Sequence, residues 1–231
     1  MKPHVTCLMM SSIDGGLHPS TWTDNPDAGR KEWSSIYEET HEALRGDAWL
    51  VGRVTMAEMA KGTPHPPSVA GDVKRPFHFA RKDAPVYAIG VDPSAKLHFK
   101  APDIGGDHVV VLLGSGVSDS HLAELAGDGV SYIVSDSPTI DLRAALQTLN
   151  SELGIERLLL EGGAGINGSF LAEGLVDEIF LLVAPAIDAT GGQAIIAFEG
   201  GLKGKAQLSL QSAEAREHGV VALRYKVQSP G

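Results

Sequence analysis

An apolar run that stops at a carboxylate and two glycines, directly before a short helix, constrains this fold more than any other feature. The stretch is Arg157 to Pro185, RLLLEGGAGINGSFLAEGLVDEIFLLVAP. Leu158, Leu159 and Leu160 read as a strand buried on both faces. Glu161, Gly162 and Gly163 then fall where the strand ends of an α/β sheet open onto a ligand crevice. With no Cβ in the way, a pyrophosphate can approach the bare backbone there. It would meet the free N–H groups and the positive dipole end of a helix predicted from about Gly165 to Glu173, which Gly174 stops. The alternative is that the glycines only make a tight strand-to-helix turn.

Gly163-Ala164-Gly165-Ile166-Asn167-Gly168 also satisfies the G-x-G-x-x-G pattern of a Rossmann dinucleotide fold. The match is weak. Too little chain follows Gly168 for the remaining strands, and the acidic candidate, Asp188, falls past Pro185 and outside the predicted strand Val176 to Ala184.

Elsewhere helices and strands alternate without internal repeats. Strand signals cover His4 to Met10, Ala48 to Val51, Val86 to Ile89, Val109 to Leu113 and Ser131 to Val134. Helices are predicted at Arg30 to Leu44, with Trp33, Ile36, Tyr37 and Leu44 on one apolar face, and at Val54 to Ala60, Asp119 to Ala126 and Asp141 to Leu149, the last capped by Asp141. Residues 61–85 are proline-rich and read as a long solvated excursion. Two final strands, Ala206 to Ala213 and Val220 to Val227, form an antiparallel hairpin across Arg216 to Gly219. The expectation is a single α/β domain over residues 1–231 with a mainly parallel central sheet, flanking helices and a C-terminal antiparallel hairpin.

Composition sets limits on function. The chain has 231 residues, 43% of them hydrophobic, and a formal charge of −10. It can bury a sizeable core, and its charge argues against nucleic acid or an anionic membrane as partner. An anionic ligand must then be held by local groups. The single cysteine, Cys7, sits in an apolar run and reads as a small buried hydrophobe. No segment reaches the length of a membrane span or a secretory h-region, so a cytoplasmic location is expected. Nine histidines occur, but none forms a close ligand pair of the HExxH type and one cysteine cannot build a thiolate site, so no metal is expected. Gly114 to Gly116 lacks the spacing of a nucleophile elbow.

Three separated segments, VTCLMMSSIDGG from Val5 to Gly16, GDAWLVGRVT from Gly46 to Thr55, and Leu158 to Pro185 with its EGG and GLVDE elements, resemble the reductase domain of the riboflavin-biosynthesis deaminase–reductases. That family has a dihydrofolate-reductase-like fold. The resemblance implies a nicotinamide-dependent reductase, acting in the family on 5-amino-6-(5-phosphoribosylamino)uracil, and a homodimer. The H-x-E and P-C-x-x-C pattern of the zinc deaminase half is absent. Reduction of another small acceptor, such as a pterin-like ring, an imine or a carbonyl, and a nucleotide-binding module without turnover, are the other readings.

Within this frame the cofactor-binding candidates are Gly52, Arg53 and Thr55, then Gly162, Gly163, Ala164, Gly165, Ile166 and Asn167. A cation such as Arg53 at a helix start is mildly unfavourable, by about 0.3–1 kcal/mol. An anionic 2′-phosphate would compensate through charge-assisted hydrogen bonds, which favours NADPH over NADH; the alternative is a surface pair with Glu58. Glu161 is the leading catalytic and substrate-binding candidate, the alternative being a helix cap. Asp14 stands either at the rim of the nicotinamide pocket or as the polar residue of a turn. By local order Ser20 corresponds to a substrate-contacting serine and Trp22 to a cofactor-contacting tryptophan, unless Trp22 is a hydrophobic plug. One departure affects substrate choice. Where the family carries an arginine-bearing phosphate clamp, this chain reads Met56 to Gly62, leaving Lys61, Lys74, Arg75 or Arg81 as substitutes.

Overall fold

A computed structural model describes residues 1–67 and 73–228; residues 68–72 of the proline-rich excursion lie outside the described residues. In chain order the elements are β1 (His4–Ser11), α1 (Arg30–Leu44), β2 (Ala48–Gly52), α2 (Arg53–Ala60), β3 (Phe77–His78), β4 (Tyr87–Asp92), β5 (Asp103–Ile104), β6 (Asp107–Leu113), α3 (Asp119–Gly127), β7 (Ser131–Val134), α4 (Leu142–Leu153), β8 (Arg157–Leu160), α5 (Ala164–Ala172), β9 (Glu178–Val183), β10 (Gln207–Ala215) and β11 (Val221–Gln228). They fall into two compact units: Met1–Pro3 with Asp47–Leu158, and His4–Gly46 with Leu159–Gly231.

In the first unit β2, β4, β6 and β7 are successive parallel neighbours. Tyr87 to Asp92 and most of β6 are buried, as continuous apolar strands in a covered parallel sheet must be. Helix α2 lies close to β4 because Gly90 offers no side chain: a Cβ there would come within 3.0 Å of Met56 Cγ. Asp141 caps α4 as its position predicts, its carboxylate accepting from Ala144 N at 2.9 Å. The helix runs beyond Leu149 because Leu153 continues its buried stripe, and it stops at Gly154 in the left-handed region.

The excursion is less solvated than its composition suggests. Phe77 and His78 pair antiparallel with Ile133 and Tyr132, and the Tyr132 hydroxyl donates to the Lys74 carbonyl at 3.0 Å. Aromatic residues here outweigh the prolines that break regular structure, with Phe77 and Phe79 stacked at 5.0 Å.

In the second unit β1 pairs parallel with β9, and β11 and β10 follow antiparallel. The closing hairpin is therefore as expected, with an irregular register between Leu210 and Ser212. Helix α1 lays Trp33 against Leu8, Phe180, Leu182 and Ala222, with Ile36, Tyr37 and Leu44 partly buried beside them. Fully burying a large apolar side chain contributes roughly 1.5–3 kcal/mol, so Leu8, Trp33 and Leu182 stabilise this unit substantially. Among the described residues no helix is long and apolar enough to cross a membrane.

Candidate active site

The end of β1 is locked to a distant segment. Ile13 N donates to the Ala186 carbonyl at 2.8 Å, Leu17 N to Gln193 at 2.9 Å, and Gly16 bridges Ala194. Asp14 clasps the same segment: Oδ1 accepts from Asp188 N at 2.9 Å and Oδ2 from Ala189 N at 2.7 Å, while the Ser12 hydroxyl donates to Oδ1 at 2.6 Å. These donors, the Asp188 N–H first, hold the carboxyl down at about 2. Asp14 is thus an ionised acceptor with both oxygens engaged, which is the turn role and not that of a proton donor at neutral pH.

Beside this loop a cleft of about 270 Å³ is walled by Met9, Met10, Leu17, Pro19 and Trp22, with Ser34, Tyr37, Glu38 and Glu161 as polar groups. The Glu161 side chain is 12% exposed, and its Oε1 lies 2.7 Å from His41 Nδ1 on α1. Tyr37, one turn earlier on α1, stands near Glu161, and its hydroxyl donates to the Leu8 carbonyl at 3.4 Å. Burial, then the Glu161 charge, drives the tyrosine hydroxyl well above its usual range. Cys7 is fully buried, and the same two causes push its thiol up to about 12. Both groups stay neutral, which leaves the Glu161–His41 contact as the polar pair beside them.

Glu161 bonds His41, and the N-cap of α5, Gly163, supplies no side-chain cap. The first-turn N–H groups of that helix are therefore not satisfied by the N-cap residue. Gly162 and Gly163 have φ of +113° and +71°, a region costly for residues with a Cβ, so the turn itself demands them. Gly165 differs: a Cβ there would meet nothing within 4 Å. Gly168 faces the opposite situation, since its Cβ would come within 2.0 Å of the Ala197 carbonyl oxygen. Its place in the G-x-G-x-x-G pattern reflects packing. Ala164 and Asn167 are also held by this segment: Ala197 N donates to the Ala164 carbonyl at 2.9 Å, and the fully buried Asn167 gives Nδ2 to the Ile195 carbonyl at 2.8 Å. Ile166 is half-buried.

Trp22 is 8% exposed and packs tilted on Trp33 at 5.8 Å, so it plugs the core while presenting an edge to the cleft. Ser20 is exposed, and its carbonyl accepts from Arg30 at 3.2 Å. In the first unit Gly52 is the N-cap of α2 and Arg53 its first residue, with no acid in the first turn. Gly52, Arg53 and Thr55 are all half-buried. The Arg53–Glu58 pair is not formed. Of the substitute phosphate anchors, Arg75 is engaged by Asp119 at 2.9 Å and Arg81 by Asp83 at 3.5 Å.

Sequence reasoning missed His41 and Tyr37 as site residues. The signal was present in the helical spacing of Trp33, Tyr37, His41 and Leu44, which puts His41 on the inner stripe of α1.

The model of the RibD C-terminal domain matches residues 3–222. The chain belongs to that family. A 2,5-diamino-6-ribosylamino-4(3H)-pyrimidinone 5′-phosphate reductase of Methanothermobacter thermautotrophicus is 29% identical over 193 residues, covering 81% of this chain and 80% of that protein. Among solved structures, a pyrimidine reductase-like protein of Corynebacterium diphtheriae superposes with a TM-score of 0.70 at 20% identity, over 98% of this chain and 92% of that one. RibD of Acinetobacter baumannii gives 0.65 at 20% identity, over 98% of this chain and 58% of that one. The family and these folds bear out the dihydrofolate-reductase-like architecture expected from the three motif segments.

The Asp14 clasp has a pH signature. Its folded pKa of about 2 lies below the ordinary 3.8, so its contribution is complete above about pH 4 and disappears as pH falls towards 2. Asp14→Asn should flatten the fall in stability across that window, read by urea unfolding at stepped pH. An unchanged acid slope would show that the clasp contributes nothing.

Proposed function

We propose that this chain is an NADPH-dependent reductase of a ribosylaminopyrimidine 5′-phosphate in riboflavin biosynthesis. The observation that carries this reading is the Glu161–His41 pair at 2.7 Å beside an apolar cleft, in a family member whose α5 starts without a side-chain cap. The reading extends to residues 1–231 as one catalytic domain, supported by a family match that spans both units. It further takes the chain to work as a cytoplasmic homodimer, with β10, which exposes Leu208 and Leu210, as the edge for a second copy.

The 5-amino-6-(5-phosphoribosylamino)uracil expected from the motifs and the diaminopyrimidinone named for the Methanothermobacter relative share one reacting part, the ribosylamine. Either pyrimidine fits the proposal. Engagement of Arg75 and Arg81 with acids favours, as second reading, reduction of an unphosphorylated imine or carbonyl acceptor. Oxidation of NADPH with each candidate, followed by absorbance, separates these readings from a non-catalytic binding module.

The residues present fit the cofactor. In the second unit the start of α5 and the open face of Gly165 suit a pyrophosphate; in the first unit, taken by itself, Arg53 with Thr55 suits a phosphate group. When bound, the cofactor supplies the hydride. The protein orients the acceptor and manages one proton. Once the ribosylamine opens to a C=N form, reduction at the sugar carbon leaves a nitrogen that takes a proton. In this reading Glu161, paired with His41, bonds the sugar hydroxyl or the amine and passes that proton. Trp22, Met9 and Leu17 give the cleft its apolar wall.

Arg53→Ala should remove a preference for NADPH over NADH worth roughly 1.5–3 kcal/mol, measured by cofactor titration. Equal wild-type affinities for the two cofactors would sink that role.

The glycines separate fold from binding. Gly165→Val keeps a helical backbone with open space beside it, so the melting temperature should hold while cofactor affinity drops about tenfold or more. Gly163→Val places a branched side chain at φ +71° and should lower stability as well. Normal cofactor titration of a folded Gly165→Val protein would remove the pyrophosphate from α5.

Glu161→Gln preserves shape. Turnover should fall by about 100-fold or more while NADPH affinity stays within a few fold. Undiminished turnover would take Glu161 out of proton handling.

A further inference from the structure

In the first unit, apart from the cleft around Glu161, three chain segments bring together imidazoles and carboxylates. His98 lies after β4, His121 and Glu124 lie one turn apart on α3, and His65 and Asp128 flank them. One ligand atom each from His98, His121 and Glu124 lies within 4.8 Å of the others, and His65, Glu124 and Asp128 form a second such set sharing Glu124. His98 Nδ1 is 2.5 Å from Glu124 Oε1, His65 Nε2 is 3.1 Å from Asp128 Oδ2, and the His98 and His121 rings meet edge-on at 5.1 Å.

His121 supplies an independent observation. The residue is 8% exposed, and its Nε2 is buried with no hydrogen-bond partner among the described residues. Burying a ring nitrogen without a partner is unfavourable. Nothing in the proposed reduction uses it.

The geometry points to a zinc-class divalent metal site formed by His98, His121 and Glu124, with His65 and Asp128 completing or supporting it. Two imidazoles with one carboxylate are a donor set that suits Zn²⁺ and disfavours Mg²⁺ and Ca²⁺, which take oxygen ligands. Tetrahedral zinc with bonds of about 2.0–2.2 Å sets its ligand atoms about 3.3–3.6 Å apart. The His98–Glu124 pair must open slightly and the wider contacts close, movements that side-chain rotation supplies. Metal ligation requires neutral imidazoles and an ionised carboxylate, so uptake strengthens as pH rises.

The backbone beneath the cluster is already fixed. Lys61 bridges Phe99, and Gly62 sits so close to His98 that a Cβ would lie 2.1 Å from its carbonyl oxygen. A metal would therefore clip the start of the proline-rich excursion, the turn after β4, and α3 together. The sequence search missed the set because it looked for paired histidines at short spacing, whereas here the partners of His121 and Glu124 come from other segments.

The test uses the full chain, stripped with chelator and titrated with Zn²⁺ by calorimetry at about pH 7.5 while thermal unfolding is followed. We expect one equivalent bound at micromolar affinity or tighter and a raised melting temperature. His121→Gln and Glu124→Gln should each weaken uptake at least about 100-fold, since even supporting residues around a metal account for 10–100-fold. His18→Gln, outside the cluster, should bind as the wild type does. Stoichiometric uptake that survives His121→Gln and Glu124→Gln in folded protein, or wild-type affinity no tighter than millimolar, overturns the proposal. Should either variant fail to fold, X-ray absorption of the zinc-loaded wild type decides: two or more imidazoles with oxygen support the site, and fewer than two overturn it.

Discussion

Burial of strand β1 is the constraint on which the second unit depends. Val5, Cys7 and Leu8 are fully enclosed and Met9 nearly so, which requires a helix layer on one side and a continuous set of backbone partners along the edge. Pairing with β9 supplies the ladder from Thr6–Glu178 to Ser11–Val183. Where the ladder ends, the chain must turn without leaving buried polar groups unsatisfied. The Ser12–Asp14–Gly16 turn and the 186–195 segment meet that demand together. The wall of the cleft is therefore a by-product of finishing a buried strand.

The same burial sets the electrostatics of the cleft. Four ionisable side chains, those of Cys7, Tyr37, His41 and Glu161, gather near the ends of β1 and β8, yet they cannot all be charged in so dry a place. Cys7 and Tyr37 yield, because burial and the neighbouring carboxylate both oppose their anions. Glu161 keeps a histidine 2.7 Å away. Beside the two neutral groups, one buried carboxylate is thus left paired with one imidazole. Asp14 shows the contrasting solution: three donors keep it ionised, and that saturation removes it from proton chemistry.

Much of this was legible in the sequence where periodicity was long. The apolar stripe of α4, the runs of β6 and β7 and the cap at Asp141 are local signals, and local physics fixes them. The two-residue strands β3 and β5 carry no period, so neither could be read. The partners of Asp14 lie 174 and 175 residues away, and no spacing rule reaches that far. His41 was a different kind of miss. Reading the inner face of α1 from its apolar residues alone passed over a histidine on that face, four residues after Tyr37.

The glycines show why a motif alone could not separate turn from binding site. Gly162 and Gly163 have positive φ, so the fold needs them whether or not anything binds, and Gly168 is needed for close packing on Ala197. Three of the glycines around this turn thus carry a structural explanation. Gly165 does not: it is helical and a side chain would meet empty space. Gly165 is the second residue of α5, where neither a left-handed backbone nor a close neighbour calls for glycine. Space and backbone conformation thus explain its neighbours but not Gly165, and a substitution there is the one that separates folding from any other demand on this turn.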